Sequence, residues 1–408
     1  MNSLDCIFNP RSVAIVGASN DKNSWGNWLA EEVIANKHKR KIYFVNPNAY
    51  NIFGKDCLRS VEQISGELDL AVVAVPRSQV ERTVNFLIDR GVKAVIIITA
   101  GFGEKNHEGL DIEKKLASKA QQAGVILIGP NCAGVYSKDF RCLPIGEFGP
   151  GPVAIISQSG GVLVDVYERL EQLGLGFSRA ISIGNQSQTS FREILPYLEQ
   201  DPDTKVIALY VENTESIPLT YIGLMTKPVL VLSAETTPKA KEAAQQHTNS
   251  LLAHTQLAVN SISDLVAKIQ MSLYNKNPKG KGLAVVTDTG GIGVMICSLA
   301  ERAGLDVKSY IDLVGIPSAF SERTQKELCS LLEMDQIDSV IMNLHLYNEA
   351  YNEEQGALML MEILKSSNKP VVFSCRSFSN PGIKILLSNS VPVYRDIETA
   401  VRMLIPCG

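Results

Sequence analysis

Short, unbroken runs of β-branched and other apolar residues recur along the chain, each followed by a longer stretch of helical period. Ser12-Val13-Ala14-Ile15-Val16 is the first, and similar runs follow at 41–45, 70–75, 94–98 and 124–128. Runs this continuous predict strands covered on both faces, as in a parallel sheet. Polar helical stretches at 78–90 and 108–123 supply the crossovers. The order of elements then restarts twice. After a Gly- and Pro-rich loop at 146–152, Val153-Ala154-Ile155-Ile156 leads into Ser157-Gln158-Ser159-Gly160-Gly161 and a helix through Leu173. Strands at 180–183, 206–211 and 228–232 complete that module. After the polar linker 275–281, Gly282-Leu283-Ala284-Val285-Val286 runs into Thr287-Asp288-Thr289-Gly290-Gly291-Ile292-Gly293 and a helix through Ala303. Strands at 339–344 and 370–374 close the third module. The pattern predicts an α/β protein of three consecutive parallel-sheet domains, 1–145, 146–274 and 275–408. Only the polar stretch 310–326 yields no clear element.

With 408 residues the chain is too long for one ordinary core, which agrees with several domains. A hydrophobic share of 45% with 20% charged residues is that of an ordinary globular protein. A net charge of −4 gives no footprint for nucleic acid or an anionic membrane. The eight cysteines are scattered, without a C-x-x-C pair or metal-ligand spacing, as expected of reduced thiols and no metal site. Residues 1–10 lack the pattern of a signal peptide, and no apolar run approaches the ~20 residues that cross a bilayer. The expectation is a cytoplasmic protein.

Candidate chemistry sits at the turns. A glycine-bearing strand-to-helix turn offers free N–H groups and a positive helix end to an anion, and here one follows the first strand of every module. The alternative for each is tight packing with no ligand. The first turn, Gly17-Ala18-Ser19-Asn20-Asp21-Lys22, lacks G-x-G-x-x-G order. The second strand ends in Asn46-Pro47-Asn48 rather than in a carboxylate for ribose hydroxyls, which disfavours a nicotinamide enzyme. Lys22 points instead to a more heavily phosphorylated ligand. His247 is one of only five histidines and follows the apolar strand 228–232. Near anion-binding turns a neutral imidazole is a competent nucleophile toward phosphorus; taken alone, it also reads as a solvated loop residue. His254, two helical turns on, reads as helix surface, His38 as part of a basic turn, and His107 and His345 have no paired ligand spacing.

Taken together and in order, these residues resemble the α subunit of NDP-forming acyl-CoA synthetases, relatives of succinyl-CoA synthetase. The first module carries Val13-Ala14-Ile15-Val16-Gly17-Ala18-Ser19, Val45-Asn46-Pro47, Ala74-Val75-Pro76, Thr99-Ala100-Gly101-Phe102-Gly103-Glu104 and Gly129-Pro130-Asn131-Cys132-Ala133-Gly134. The second carries Ile156-Ser157-Gln158-Ser159-Gly160, Gly184-Asn185, Asp201-Pro202-Asp203-Thr204, Tyr210-Val211-Glu212 and His247-Thr248; the third carries Val286-Thr287, Gly290-Gly291-Ile292-Gly293 and Val391-Pro392-Val393-Tyr394. The resemblance implies a Rossmann-like CoA-binding domain followed by two flavodoxin-like domains. Gly17, Ser19, Asn20 and Lys22 would hold the phosphate end of CoA, Val75, Pro76 and Thr99 would line its groove, and Asn131 and Cys132 would approach the thiol. His247 would carry a phosphoryl group from an acyl phosphate to a nucleoside diphosphate, with Glu212 fixing its tautomer. The Ser157, Gln158, Ser159, Gly160, Gly161 turn and the Thr289, Gly290, Gly291 turn would face the phosphorylated ring. The substrates would be CoA and a carboxylic acid. With no P-loop in the sequence, ATP/ADP and Mg²⁺ are expected on an ATP-grasp β subunit, within an oligomer.

The sequence also departs from that family. Ser233, Glu235 and Thr236 stand where a lysine, a glycine and an arginine are usual, and Asn249 replaces a glycine. Gln186-Ser187-Gln188-Thr189 replaces acidic residues, and an Asn-Pro-Val-Asp stretch is missing from the third module. Two further readings therefore stand beside the synthetase: a non-catalytic CoA-binding regulatory or scaffold subunit, and a ligase that passes its acyl phosphate to an amine.

Overall fold

The protein is described by a computed structural model over residues 4–35, 40–143, 149–212, 216–234, 258–314, 320–344 and 352–406. It has three sheets, and by their contacts the residues fall into two units, 1–168 with 176–260 and 169–175 with 261–408. In the first sheet β1 (Ser12–Val16), β2 (Lys41–Val45), β3 (Asn51–Ile52), β4 (Lys55–Leu58), β5 (Leu70–Val73), β6 (Ala94–Ile97) and β7 (Ile126–Ile128) lie in the order β3-β4-β2-β1-β5-β6-β7. All pairs are parallel except the β3–β4 hairpin. Every residue of β1, β5 and β6 is buried, as their continuous apolar runs require.

The second sheet contains β8 (Gly134–Ser137), β9 (Arg141–Cys142), β10 (Pro150–Ser157), β11 (Phe177–Ser182), β12 (Val206–Val211), β13 (Val229–Ser233) and β14 (Ala258–Val259), ordered β14-β13-β12-β10-β11-β8-β9. It reaches back before the 146–152 loop, because β8 pairs antiparallel with β11. One apolar core serves both sheets: Ile15, Leu29, Ile96 and Ile128 belong to the same buried cluster as Val135, Ile156, Ile181, Phe191 and Leu195. The edge of the first sheet is finished by the second module. Gln188 accepts the Leu127 N–H through Oε1 at 2.7 Å and donates Nε2 to the Val125 carbonyl at 2.8 Å. An amide side chain thus takes the place of a further strand beside β7. That gives the unusual 186–189 stretch a structural role.

The third sheet holds β15 (Gly282–Thr287), β16 (Asp306–Asp312), β17 (Ser339–Asn343), β18 (Val371–Ser374) and β19 (Val393–Tyr394), all parallel, in the order β16-β15-β17-β18-β19. Within the stretch 310–326, residues 310–312 end β16 and residues 322–326 begin the helix Glu322–Glu333. No described helix is long and apolar enough to cross a membrane.

Asp69 ties down the entry to β5. Its side chain accepts the Arg11 N–H at 2.8 Å and Lys93 Nζ at 2.6 Å, with Arg11 Nε at 3.3 Å. Burial alone would raise its pKa; the bonds from Lys93 and Arg11 outweigh that and hold it below the ordinary 3.8. A carboxyl depressed by folding contributes stability above its unfolded pKa and loses it as pH falls through the folded value. The unfolding midpoint should therefore be insensitive to this group near neutrality and fall below about pH 4. Asp69→Asn should remove about 2 kcal/mol at pH 7, the worth of charged hydrogen bonds whose cations are part-exposed, and flatten the acid limb in pH-resolved thermal melts.

Candidate functional site

In a parallel α/β sheet, ligands bind beyond the strand ends where the strand order reverses. In the first sheet that point is the pair β1 and β5, and a cleft of about 530 Å³ opens there. Gly17 ends β1 and lies on its floor at φ +95°; a Cβ there would stand 2.3 Å from the Ala74 carbonyl oxygen. Gly26 lies as close: a Cβ would be 1.9 Å from the Gly17 oxygen, so the helix Trp25–Ala35 starts directly against the turn. Ser24 accepts the Asn27 N–H at 3.2 Å in the manner of an N-cap.

Six of the nine sequence-expected CoA residues line this cleft: Gly17, Val75, Pro76, Thr99, Asn131 and Cys132. The other three stay in the turn beside it. Ser19 accepts the Asp21 N–H through its hydroxyl oxygen, Lys22 is exposed, and Asn20 bridges to the hairpin, donating to Asn51 O at 3.0 Å and accepting from Phe53 N at 3.1 Å. Sequence reasoning missed Ser24, Trp25 and Gly26, which also line the cleft. Trp25 is 45% exposed and is the first residue of its helix. A large exposed aromatic at a helix start beside a glycine turn was the available signal.

At the far end of the cleft, Thr99 donates Oγ1 to the Val75 carbonyl at 2.7 Å and accepts the Asn131 N–H on its own carbonyl at 3.1 Å. Cys132 is buried, its thiol directed at the Ile97 carbonyl at 3.1 Å, and burial pushes its pKa up to about 12. It is a packing thiol, without the cationic setting of a nucleophile. Asn131 follows a cis Gly129–Pro130 bond and holds φ +60°. Its Nδ2 donates to Asn185 Oδ1 at 3.3 Å, and Asn185 Nδ2 donates to both Glu104 and Glu113 at 2.5 Å. Burial works to raise the Glu104 pKa, but the Asn185 amide and the Gly101 and Phe102 N–H groups hold it below the usual range. The loop that closes the cleft is thus fixed by a hub, Asn185, to which the sequence reading gave no role.

The second-module turn reaches the same cleft. Gly160 lines it at the start of the helix Gly160–Gln172, where a Cβ would meet the Ala133 Cβ at 2.8 Å. Ser157 accepts the Ser159 N–H, and Ser159 accepts that of Val162. Gln158 donates its N–H to Tyr210 O at 3.2 Å and accepts the Glu212 N–H on its side chain. Glu212 is exposed at the end of β12, so this turn and the glutamate share the switch point of the second sheet. Ser233, where the family usually has lysine, pairs with Val211 beside them. In the other unit, Thr289, Gly290 and Gly291 open the helix Gly290–Arg302. That helix end already faces a carboxylate: a Cβ on Gly290 would stand 2.8 Å from Asp312 Oδ2, and Tyr310 donates to Gly290 O at 3.2 Å. His247 lies outside the described residues, as do Glu235, Thr236, Asn249 and His254. Among the described residues no cluster of His, Cys, Asp or Glu could hold a metal ion.

A switch-point cleft whose described lining is uncharged, with a helix starting at its rim, is where α/β proteins of the doubly wound class take their ligands. Comparisons with known proteins narrow that class. Residues 11–138 match the CoA binding domain, and residues 150–264 the succinyl-CoA ligase like flavodoxin domain. The acetate–CoA ligase [ADP-forming] II subunit alpha of Pyrococcus furiosus is 33% identical over 349 residues, covering 81% of this chain and 73% of that one. The I subunit alpha of the same organism is 27% identical over 98% of this chain and 96% of its own. A crystal structure from Pyrococcus horikoshii OT3 superposes with a TM-score of 0.82 at 27% identity, covering 98% and 97% of the two chains. The acetyl-coenzyme A synthetase 1 of Ca. Korarchaeum cryptofilum, solved with phosphate and ADP, shares the fold at a TM-score of 0.81 and 23% identity over 99% and 96%. The chain belongs to the NDP-forming acyl-CoA synthetases of the succinyl-CoA ligase superfamily, as an α-type subunit.

Proposed function

We propose that this chain is the acid–thiol ligase subunit that binds CoA and relays a phosphoryl group, interconverting carboxylic acid, CoA and ATP with acyl-CoA, ADP and phosphate. One observation carries the reading: the CoA-type cleft and the helix end at Gly160 form one lined space, with Cys132 and Ala133 beside them. The neutral lining suits the pantetheine arm. Gly17 and the helix start at Trp25 suit its phosphates, since glycine admits them to the backbone and the helix end is positive. The Gly160 helix end suits an inorganic phosphate at the thioester. There the phosphate oxygen attacks the acyl carbon and the C–S bond breaks, leaving CoA as thiolate. A neutral nitrogen of His247 then takes the phosphoryl group from the acyl phosphate, releasing carboxylate, and gives it to ADP. Glu212 holds the other imidazole nitrogen and keeps the nucleophilic tautomer.

The ATP-grasp region, with its nucleotide and Mg²⁺, belongs to a partner β subunit in this proposal. Its support is that two relatives are α subunits, while the chain spans 63% of the Archaeoglobus fulgidus acetate–CoA ligase [ADP-forming] I. A cytoplasmic site of action and an oligomeric complex are part of the same reading.

The first test is CoA binding. The protein has two tryptophans, Trp25 in the cleft and Trp28 with its ring 5.9 Å from the first. CoA should therefore quench or shift the intrinsic emission saturably, with micromolar affinity of about −8 kcal/mol. Trp25→Phe should remove most of the response. An emission spectrum blind to millimolar CoA would overturn the assignment of the cleft. Saturable CoA binding without phosphoryl transfer, in the presence of the partner, would favour the regulatory reading that the lost lysine at Ser233 suggests.

A further inference from the structure

The C-terminal edge of the first sheet is a ruler for an extended ligand. From β7, where Cys132 and Gly160 mark the reacting end, to β1 is three strand spacings, or about 14 Å. A phosphopantetheine arm spans that distance and sets its diphosphate at Gly17 and the start of the helix Trp25–Ala35. The adenosine half then continues past β1, over β2 and toward β4. That level is fixed by hydrogen bonds: Gly17 donates to Val45 O at 2.8 Å, and Asn46 donates to Leu58 O at 2.9 Å. The residue after Leu58 is Arg59.

Arg59 is exposed, and its guanidinium lies 4.4 Å from the centre of the Tyr50 ring. Tyr50 is itself 77% exposed and is held opposite β4 by the Cys57 N–H donated to its carbonyl at 3.0 Å. Neither side chain packs a core. The backbone of Arg59 is anchored by Gln63, whose Oε1 accepts its N–H at 2.8 Å. Among the described residues its side-chain N–H groups have no hydrogen-bond acceptor. Nearby Glu62 is engaged by Ser60 and by the charge of Arg82. A guanidinium held over an aromatic ring keeps its charge and its fork of donors, which can bind a phosphate bidentately. Among the described residues the cleft itself has no charged lining residue, and by the strand order this cation stands where an extended CoA would carry its last phosphate.

We propose that Arg59, laid on Tyr50, receives the ribose 3′-phosphate of CoA and makes the chain select CoA over 3′-dephospho-CoA. The proposal rests on the CoA reading of the cleft. Its test is a tryptophan-emission titration of the full chain with each ligand, repeated for Arg59→Gln, Arg59→Lys and Tyr50→Leu. The wild type should prefer CoA by about 10- to 100-fold, the worth of one charge-assisted phosphate contact. Arg59→Gln should bring CoA down to the dephospho-CoA affinity and leave dephospho-CoA unchanged. Arg59→Lys should recover part of the preference, and Tyr50→Leu should lose part of it. Equal wild-type affinities, or a preference that survives Arg59→Gln, would overturn the proposal while leaving the cleft assignment intact. So would a loss in Arg59→Gln shared equally by both ligands, which marks a structural role. A wild type that binds neither ligand overturns the CoA reading itself, and the proposal with it.

Discussion

Asparagine in place of His247 is expected to cut synthetase turnover by a factor of about 10⁴ or more, the cost of removing a covalent nucleophile. Asparagine keeps a similar polar shape but has no nucleophilic nitrogen. Incubation of the chain and the proposed ATP-grasp partner with γ-labelled ATP should leave an acid-labile, base-stable label on the wild type and none on His247→Asn. CoA binding, read from Trp25 and Trp28, should be unchanged, because the proposed CoA contacts come from residues of the first module that line the cleft. Glu212→Gln should act in the same direction but less strongly, since the role proposed for Glu212 is to orient the imidazole and not to accept the phosphoryl group. A label that persists on His247→Asn would place the phosphoryl carrier elsewhere and refute the assignment. Product analysis with and without CoA separates thioester formation from transfer to an amine.

The second large effect is expected at Gly17. Alanine there meets two obstacles at once: a backbone at φ +95° and a carbonyl oxygen 2.3 Å from the new Cβ. Ala74 cannot retreat easily, because its N–H donates to Val16 O at 2.8 Å and binds β5 to β1. The expected loss is roughly 3–4 kcal/mol of stability together with CoA binding. Gly124→Ala is the matching control. It also lies at positive φ, +67°, but nothing stands within 4 Å of its Cβ. It should lose only about 1 kcal/mol, the intrinsic cost of the left-handed region. Chemical denaturation of both variants gives the comparison, and equal losses would show that the contact with Ala74 is not decisive.

The sequence pattern predicted most of the buried parallel strands, because burial on both faces leaves no polar positions to blur the run. β16 was missed for the same physical reason in reverse. It is an edge strand, and Asp306-Val307-Lys308-Ser309-Tyr310-Ile311-Asp312 alternates between exposed and half-buried positions. The β3–β4 hairpin escaped because its turn is Phe53-Gly54, with φ +49° and +77°, where asparagine or aspartate would have announced it. In the site, the glycine turn at Gly17 was legible in the pattern, while Val75, Thr99 and Asn131 were expected through the family resemblance, and all four line the cleft. Asn185 and Gln188 were not, since their partners Glu104, Glu113 and Leu127 lie some sixty to eighty residues away in sequence. Nor did the pattern reveal Asp312, which reaches the third glycine turn from the end of a neighbouring strand.

The graft of residues 184–189 onto the rim of the first sheet has a kinetic corollary. Gly184 sits against the Pro130 carbonyl, Ser187 donates to Gly129, Asn185 donates to Pro130 and Gln188 completes β7. Opening the two modules like a jaw would break all of these bonds together and split a shared apolar interior. Capture of CoA should therefore be a single encounter with a rigid receptacle, and a swing of the first module against the second is not available to carry a group from one to the other.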